Sequence, residues 1–573
     1  MLRALLLFTL TCWCSAAPAA PRPPDTLKDL VVLSYHDVRE VLPASRDAYV
    51  MEAAELVNQF AWLKENGYTP VSLQQVIDAS EGKSALPRKP VLLTFDDGYR
   101  SFYTHVFPLL ELFQYPAVLA LVGQWIEDPR DGVASAPAHS PLLRWDEVRA
   151  LSRSGLVEIA SHSFDLHHGV RANPQGNELA AATTRVYDPT AQRYEGDAAY
   201  EARVRSDLQR SAELIHARTG VRPRAIVWPY GSYNIATRRM AREVGLPVSI
   251  GLDDERPTTY PFGLHLGRRL IVGNPSIRQF TEELLRPYEL NPVRAIRVSL
   301  DEVYDPDFVR QEANLSRLLD RVAELGINTV YLRATADVDG DGNPDATYFP
   351  SRNLPMRADL FGRAAWQLHT RAGVEVFAWL PTRGYRWLGD AAAATGHGVL
   401  AERAGRRRVA ETYQDLARYA FFDGLLFDDG GTGAASAEAV AFSRELVRAV
   451  SVFRDPVFTA RALAFDINAP ESAARAEVIA RLAQQYDQVL LRVRRSSDAD
   501  ALVELAQALS DPRSSFTGLV WEVDAGDAQL IPMLRALQLR GIADLAYSAD
   551  DFRRDRPALR SVRPLMSLQS QPR

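Results

Sequence analysis

Cysteine is almost absent. Its two copies, Cys12 and Cys14, both lie in an N-terminal leader, so the chain beyond it has no thiol for disulfides or thiolate chemistry. Long apolar runs are also lacking after the leader, which excludes a membrane-crossing helix there. No charge of one sign dominates: 66 Lys and Arg against 72 Asp and Glu give a net charge of −6, which argues against nucleic acid as a partner. There is no short repeat, low-complexity tract or long charge run. What remains is ordinary globular material, 573 residues at 24% charged and 47% hydrophobic, long enough for two or three domains with real cores.

The leader itself is informative. Arg3 precedes an apolar segment from Ala4 to about Cys14, followed by the small residues Ser15-Ala16-Ala17-Pro18-Ala19-Ala20. This is a secretory signal pattern, too short to span a bilayer, with Ala17-Pro18-Ala19 as the cleavage signal, so residues 1–20 are expected to be removed on export. A lipid anchor on Cys12 or Cys14 is the minority alternative, because Thr9-Leu10-Thr11 and Thr11-Cys12-Trp13 match the small-residue site of a lipoprotein poorly.

Strands and helices then alternate. Val31-Val32-Leu33-Ser34-Tyr35 is a strand running into His36 and Asp37, and a helix follows over about Glu52 to Glu65. Val91-Leu92-Leu93 leads into Thr94-Phe95-Asp96-Asp97-Gly98, Val157-Glu158-Ile159-Ala160-Ser161 ends at His162, and Ala225-Ile226-Val227-Trp228 runs into Pro229-Tyr230-Gly231. A stretch up to about Ala198 shows no strong period, and an amphipathic helix then reaches Thr219. Such alternation predicts mainly parallel pairing in a sheet or barrel. Residues 286–293, rich in Pro and Asn, read as a linker between domains at 28–285 and 294–555. Beyond it, eight apolar strand candidates begin near Ile296, Val330, Val376, Leu425, Phe458, Val489, Leu519 and Leu545, which is the size of one (β/α)8 barrel.

The chemistry-bearing residues gather at strand ends, where α/β folds place their sites. A lone Asp-Asp-Gly is an ordinary polar loop; what lifts this one is the histidines. Asp97, His162 and His167 can supply the two-His, one-carboxylate set of an open divalent metal site. His162 and His167 are five residues apart, wrong for one helical face, so a loop must bring them together. His168 reads as a bystander.

These motifs resemble those of the polysaccharide deacetylases of carbohydrate esterase family 4. That resemblance implies that Asp96 is the general base and that Asp97, His162 and His167 hold the metal. Two departures, the five-residue histidine spacing and Val227 where an arginine is usual, match a narrower group, the periplasmic poly-β-1,6-N-acetylglucosamine N-deacetylases. There the deacetylase barrel is circularly permuted and the catalytic histidine follows an N-terminal strand, here His36 in Tyr35-His36-Asp37. The resemblance continues through Thr329-Val330-Tyr331-Leu332, Tyr348-Phe349-Pro350 and Leu354-Pro355-Met356-Arg357. It implies two (β/α) barrels, one divalent ion (zinc, nickel, cobalt or iron), a glycan substrate and an outer-membrane export porin with TPR repeats as partner. It implies a role in exopolysaccharide export and biofilm formation. On the same basis the backbone N–H of Tyr230 is expected to face the oxyanion, with Trp228 and Tyr230 walling the pocket. A deacetylase of chitin oligomers or peptidoglycan, and a non-catalytic polysaccharide-binding export component, remain alternatives.

In the second domain, acids stand at the C-terminal ends of the strand candidates: Asp301, Asp337, the pair Asp428-Asp429, and Glu522. A ring of carboxylates at a barrel mouth is expected either to bind a cationic, deacetylated glycan or to hydrolyse it with two flanking carboxylates. Phe427, Arg333 and the Trp521-Glu522-Val523-Asp524 context depart from the hydrolytic pattern, which favours binding. The Asp337–Asn343 run resembles a calcium loop, but Tyr348 stands at its twelfth position instead of Glu.

Overall fold

The computed structural model describes residues 27–44, 47–127, 141–252, 263–285, 292–385, 403–428, 436–454, 460–466, 475–493, 518–526 and 528–568. The leader, most of the expected linker, and Asp429 lie outside them.

The first domain is built on nine parallel strands. Eight of them lie in the order His265–Leu266, Val248–Ile250, Ala225–Val227, Val157–Ser161, Ala117–Leu121, Pro90–Phe95, Val31–Tyr35, Arg269–Leu270, and Thr69–Pro70 adds beside Pro90–Phe95. The central strands Pro90–Phe95 and Ala117–Leu121 are buried on both faces, which is why their sequences read as continuous apolar runs rather than alternations. The N-terminal strand inserts between Pro90–Phe95 and Arg269–Leu270, in register from Val31 opposite Val91 to Tyr35 opposite Phe95. The two outermost strands are nearly consecutive in sequence: Leu266 ends one edge and Arg269 begins the other. The sheet therefore curls into an incomplete barrel whose gap is spanned by Gly267 and Arg268.

The second domain is a closed parallel barrel of eight strands, Arg294–Ser299, Thr329–Arg333, Glu375–Pro381, Gly424–Asp428, Ala460–Asp466, Gln488–Val493, Leu519–Asp524 and Leu545–Ser548. Seven begin within two residues of their expected starts; the fifth was expected near Phe458, which lies outside the described residues, and is described from Ala460. The two-residue strand period sorts the interior into layers. Ala295, Phe377, Leu426, Leu490 and Val520 fill the lower interior. Two residues on, the same strands raise Arg297, Trp379, Asp428, Arg492 and Glu522 towards the C-terminal mouth.

The aperiodic stretch before Asp197 forms two small hairpins, Gly169–Arg171 with Glu178–Ala180 and Tyr187–Asp188 with Arg193–Tyr194. They sit between the two domains: Val170 packs on the first domain's own core, and other groups reach the second barrel. The Gln175 amide donates to the Asp359 carbonyl (2.7 Å), the Tyr194 hydroxyl to the Asp359 carboxylate (2.5 Å), and Trp366 to the Glu178 carbonyl (2.9 Å). Tyr194 also lies 4.7 Å from Tyr419, ring centre to ring centre.

Burial lifts the Asp359 carboxyl from an ordinary 3.8 to about 6, with the Tyr194 hydroxyl partly opposing it. A carboxyl whose pKa rises on folding favours the folded state at low pH, and that advantage disappears as pH climbs through the folded value. The expected outcome is a domain contact strongest below about pH 4 and weaker by on the order of 3 kcal/mol above pH 6. Scanning calorimetry of Asp359→Asn between pH 4 and 7 should show that part of the pH slope removed; an unchanged slope would refute the assignment.

Candidate active site

Three loops, each leaving a parallel strand at its C-terminal end, build the first site. Each makes a left-handed turn on a non-glycine residue: Asp97 at φ 72°, Ser163 at φ 71° and Tyr230 at φ 57°. Strain of this kind persists only where the surroundings over-determine it, and it collects at functional sites. At Asp97 the turn lets two consecutive residues face one cavity, although strand neighbours would point to opposite sides. Gly98 continues the turn at φ 78°, where an added Cβ would meet Ile126 and Leu121 at 3.0 Å.

Asp97, His162 and His167 converge. The Asp97 Oδ1 atom lies 3.4 Å from His162 Nε2 and 3.3 Å from His167 Nε2, with no hydrogen-bond partner of its own although buried. All three potential ligand atoms fall within 4.8 Å of one another. The His162 Nδ1–H donates to the Val227 carbonyl at 2.7 Å, which turns the Nε2 lone pair inward. So the residue at the usual arginine position serves the site through its backbone. Burial, then the charge of His162, pushes His167 down to about 4, leaving it a neutral imidazole near neutral pH. Burial alone would raise Asp97, but contact with His162 and the charges of His36, His167 and His162 outweigh it and hold the carboxyl well below its usual range. An orphaned buried carboxylate oxygen facing two imidazole nitrogens fits a divalent ion.

Asp96 faces the other side of the cavity. Its Oδ1 accepts from Arg268 Nη1 at 2.7 Å, and its Oδ2 lies 3.8 Å from His36 Nε2. Burial pushes the Asp96 carboxyl up, while Arg268, His162 and His36 together bring it below the ordinary value. Tyr230, 52% exposed, lies 4.6 Å from the His167 ring and forms an open wall. The expectation for Trp228 is corrected. It is 0% exposed, and its indole N–H donates to Ser249 Oγ at 2.8 Å, so it braces the core beneath the turn and cannot stack on a sugar.

The second mouth is also corrected. The four expected acids that are described, Asp301, Asp337, Asp428 and Glu522, do not form an open acidic ring, because each meets an arginine, while Asp339 and Asp345 cluster with Asp337 in its loop. Asp301 accepts from Arg357 (2.7 Å) and Tyr348 (2.7 Å), and Asp337 caps its own loop and pairs with Arg333 at 3.5 Å. Arg297 reaches both Asp428 (3.2 Å) and Glu522 (2.7 Å), and Arg492 joins the same two carboxylates. The guanidinium of Arg297 also lies 4.5 Å from the centre of the Trp379 ring, whose N–H donates to Asp428 at 3.0 Å.

A polysaccharide deacetylase family profile matches residues 83–249, and the profile of hypothetical glycosyl hydrolase family 13 matches residues 297–443. The poly-beta-1,6-N-acetyl-D-glucosamine N-deacetylase of Escherichia coli K12 is 33% identical over 618 aligned positions, which span 94% of this chain and 92% of that one. The chain belongs to the poly-β-1,6-N-acetyl-D-glucosamine N-deacetylase family. Among solved structures, the BpsB deacetylase domain of Bordetella bronchiseptica is 46% identical, covering 44% of this chain and 98% of its own, at a TM-score of 0.39. The glycoside hydrolase domain of PgaB (BpsB) from the same organism is 29% identical, covering 48% of this chain and 99% of its own, at a TM-score of 0.42.

As a member of this N-deacetylase family the protein is a polysaccharide deacetylase, and its site includes residues that the sequence did not announce. Arg268 is one: it carries no motif, and only closure of the curled sheet brings it to Asp96. Trp125, buried 4.8 Å from the His167 ring, and Tyr49, 4.9 Å from the His36 ring, are others. Truncating Arg268 would strand a buried carboxylate, at about 3–5 kcal/mol. Arg268→Met should also let burial dominate at Asp96, moving the acidic limb of the pH profile of kcat/KM to higher pH. Metal content should stay the same. A profile that does not move would show that Arg268 does not tune Asp96.

Proposed function

We propose that this protein deacetylates poly-β-1,6-N-acetylglucosamine in a metal-dependent reaction in the periplasm, during export of the polymer for biofilm formation. The observation that carries the reading is the convergence of Asp97, His162 and His167 on one side of the cavity, with Asp96 and His36 on the other. The leader pattern supports export, and a polymer leaving the cell would pass to an outer-membrane porin with TPR repeats. A bound divalent ion supplies a water of lowered pKa and polarises the acetyl carbonyl. Two nitrogens and one carboxylate suit zinc, nickel, cobalt or iron.

The protein's own groups do the rest. Asp96, kept ionised by Arg268, accepts the proton of the attacking water at Oδ2. The backbone N–H of Tyr230, held at the cavity by its left-handed turn, faces the developing oxyanion. His36 Nε2 delivers a proton to the departing amine. The exposed Tyr230 ring offers a face to the sugar.

The second barrel, in this reading, binds the partly deacetylated chain. Its pairing pattern favours binding over cleavage by Asp428 and Glu522. A glycosidase acid must present a proton to the glycosidic oxygen, whereas each of these carboxylates faces two guanidiniums. Trp379, half-buried at the mouth, supplies a stacking surface.

Acetate release should be measured on β-1,6- and β-1,4-linked N-acetylglucosamine oligomers, with and without chelator. The expected outcome is release from the β-1,6 oligomers that chelator abolishes; preference for β-1,4 oligomers would point to chitin or peptidoglycan. No release at all would leave a binding component. Asp96→Asn should lower kcat by at least about 100-fold with metal content intact; a surviving rate would remove Asp96 as the base. Incubated with partly deacetylated polymer, the full chain should retain it without shortening it, and shorter products would establish hydrolysis instead.

A further inference from the structure

The five-residue spacing of the metal histidines raises a question of support. A helix would hold such a pair by its own hydrogen bonds, whereas Ser163–Leu166 is a loop that needs outside partners for its backbone. Those partners come from two helices. The Gly123 and Gln124 N–H groups donate to the Ser163 and Phe164 carbonyls at 3.0 and 2.9 Å. The Phe164 and Asp165 N–H groups donate to the two oxygens of one side chain, Asp207, at 2.9 and 2.7 Å. Asp207 lies on the Asp197–Thr219 helix, far away in sequence. One turn further along, Ser211 Oγ meets Ser161 Oγ at 2.8 Å, just before His162. Arg210, between them in sequence, covers the Phe164 ring, its guanidinium carbon 3.6 Å from the ring centre.

The loop is therefore held at both ends. Ser161 is tied to Ser211 on one side of His162, and the bidentate carboxylate fixes the two peptides just before Leu166 and His167. Within the loop, the Ser163 N–H donates to Ser161 Oγ and the Leu166 N–H to Ser163 Oγ, so each N–H from Ser163 to Leu166 has an acceptor. Without Asp207, two adjacent N–H groups lose their acceptors together, two to three residues before His167. We infer that Asp207 is a positioning residue for the metal site, acting through the Phe164 and Asp165 peptides to set the angle at which His167 meets the ion. The inference rests on the metal-site reading above.

Outer residues that orient metal ligands typically contribute 10–100-fold in metal affinity. The test titrates the full-length protein with cobalt(II) against a chromophoric chelator and records the cobalt absorption spectrum. Wild type, Asp207→Ala, Asp207→Asn, His167→Ala, and Gln209→Ala as a neighbour on the same helix are compared. The expected result is cobalt binding weakened tenfold or more in Asp207→Ala, with an altered spectrum and wild-type affinity in Gln209→Ala. Asp207→Asn keeps one acceptor oxygen and should recover part of the loss, which a general weakening of the helix would not allow. If Asp207→Ala does not fold, Asp207→Asn carries the test at a threshold of threefold. A weakening below these thresholds, beside a wild type that binds and a His167→Ala variant that does not, overturns the role of Asp207 and leaves the metal site standing. A wild type that binds no cobalt at this site overturns both.

Discussion

A carboxylate sealed away from water needs a counter-charge, and at Asp96 that need ties the whole first domain together. The guanidinium that meets it belongs to Arg268, in the short link between the two edges of the sheet. Closing the barrel and charging the site are thus one event. The strand that brings His36 must insert beside Pro90–Phe95, and the chain must cross from the His265–Leu266 edge to the Arg269–Leu270 edge, before Asp96 has its partner. A buried ion pair of this kind is weak evidence for stability but strong evidence for a defined arrangement.

Much of the architecture was legible because parallel barrels write themselves plainly into sequence. Strands buried on both faces become apolar runs, and their ends become the positions of Asp96, Asp97, His162 and Tyr230. The eight strands of the second barrel could be placed for the same reason. What escaped notice has a common cause: it depends on which distant segments meet. Nothing around Arg268 distinguishes it from other arginines before the sheet curls. Trp228 sits inside a motif, and motif membership suggested a pocket wall, but the left-handed turn at Tyr230 sends the two rings in opposite directions. The hairpins between His168 and Asp197 showed no period because their strands are two or three residues long and part of their partner surface lies in the other barrel.

The two mouths solve charge differently. In the first, a buried carboxylate oxygen is left without a partner and faces imidazole nitrogens, an arrangement that suits a cation. In the second, the expected acids that are described are matched by arginines, three on barrel strands and Arg357 on a loop. Arg297 and Arg492 escaped notice because an inward-facing arginine cannot be told from an outward one until strand register is fixed. Two residues above an apolar layer, register puts both beside Asp428 and Glu522.

That matching sets the reach of the second mouth. Asp301, Asp337, Asp428 and Glu522 are matched in number by Arg357, Arg333, Arg297 and Arg492, with Asp339 and Asp345 as further carboxylates beside Asp337. Such an assembly is a set of short dipoles, and its potential fades over a few ångströms, well inside the roughly 8 Å over which physiological salt would screen a net charge. On the proposed reading that this barrel binds a glycan, these paired groups add little long-range attraction for salt to remove, and recognition falls to contacts at close range.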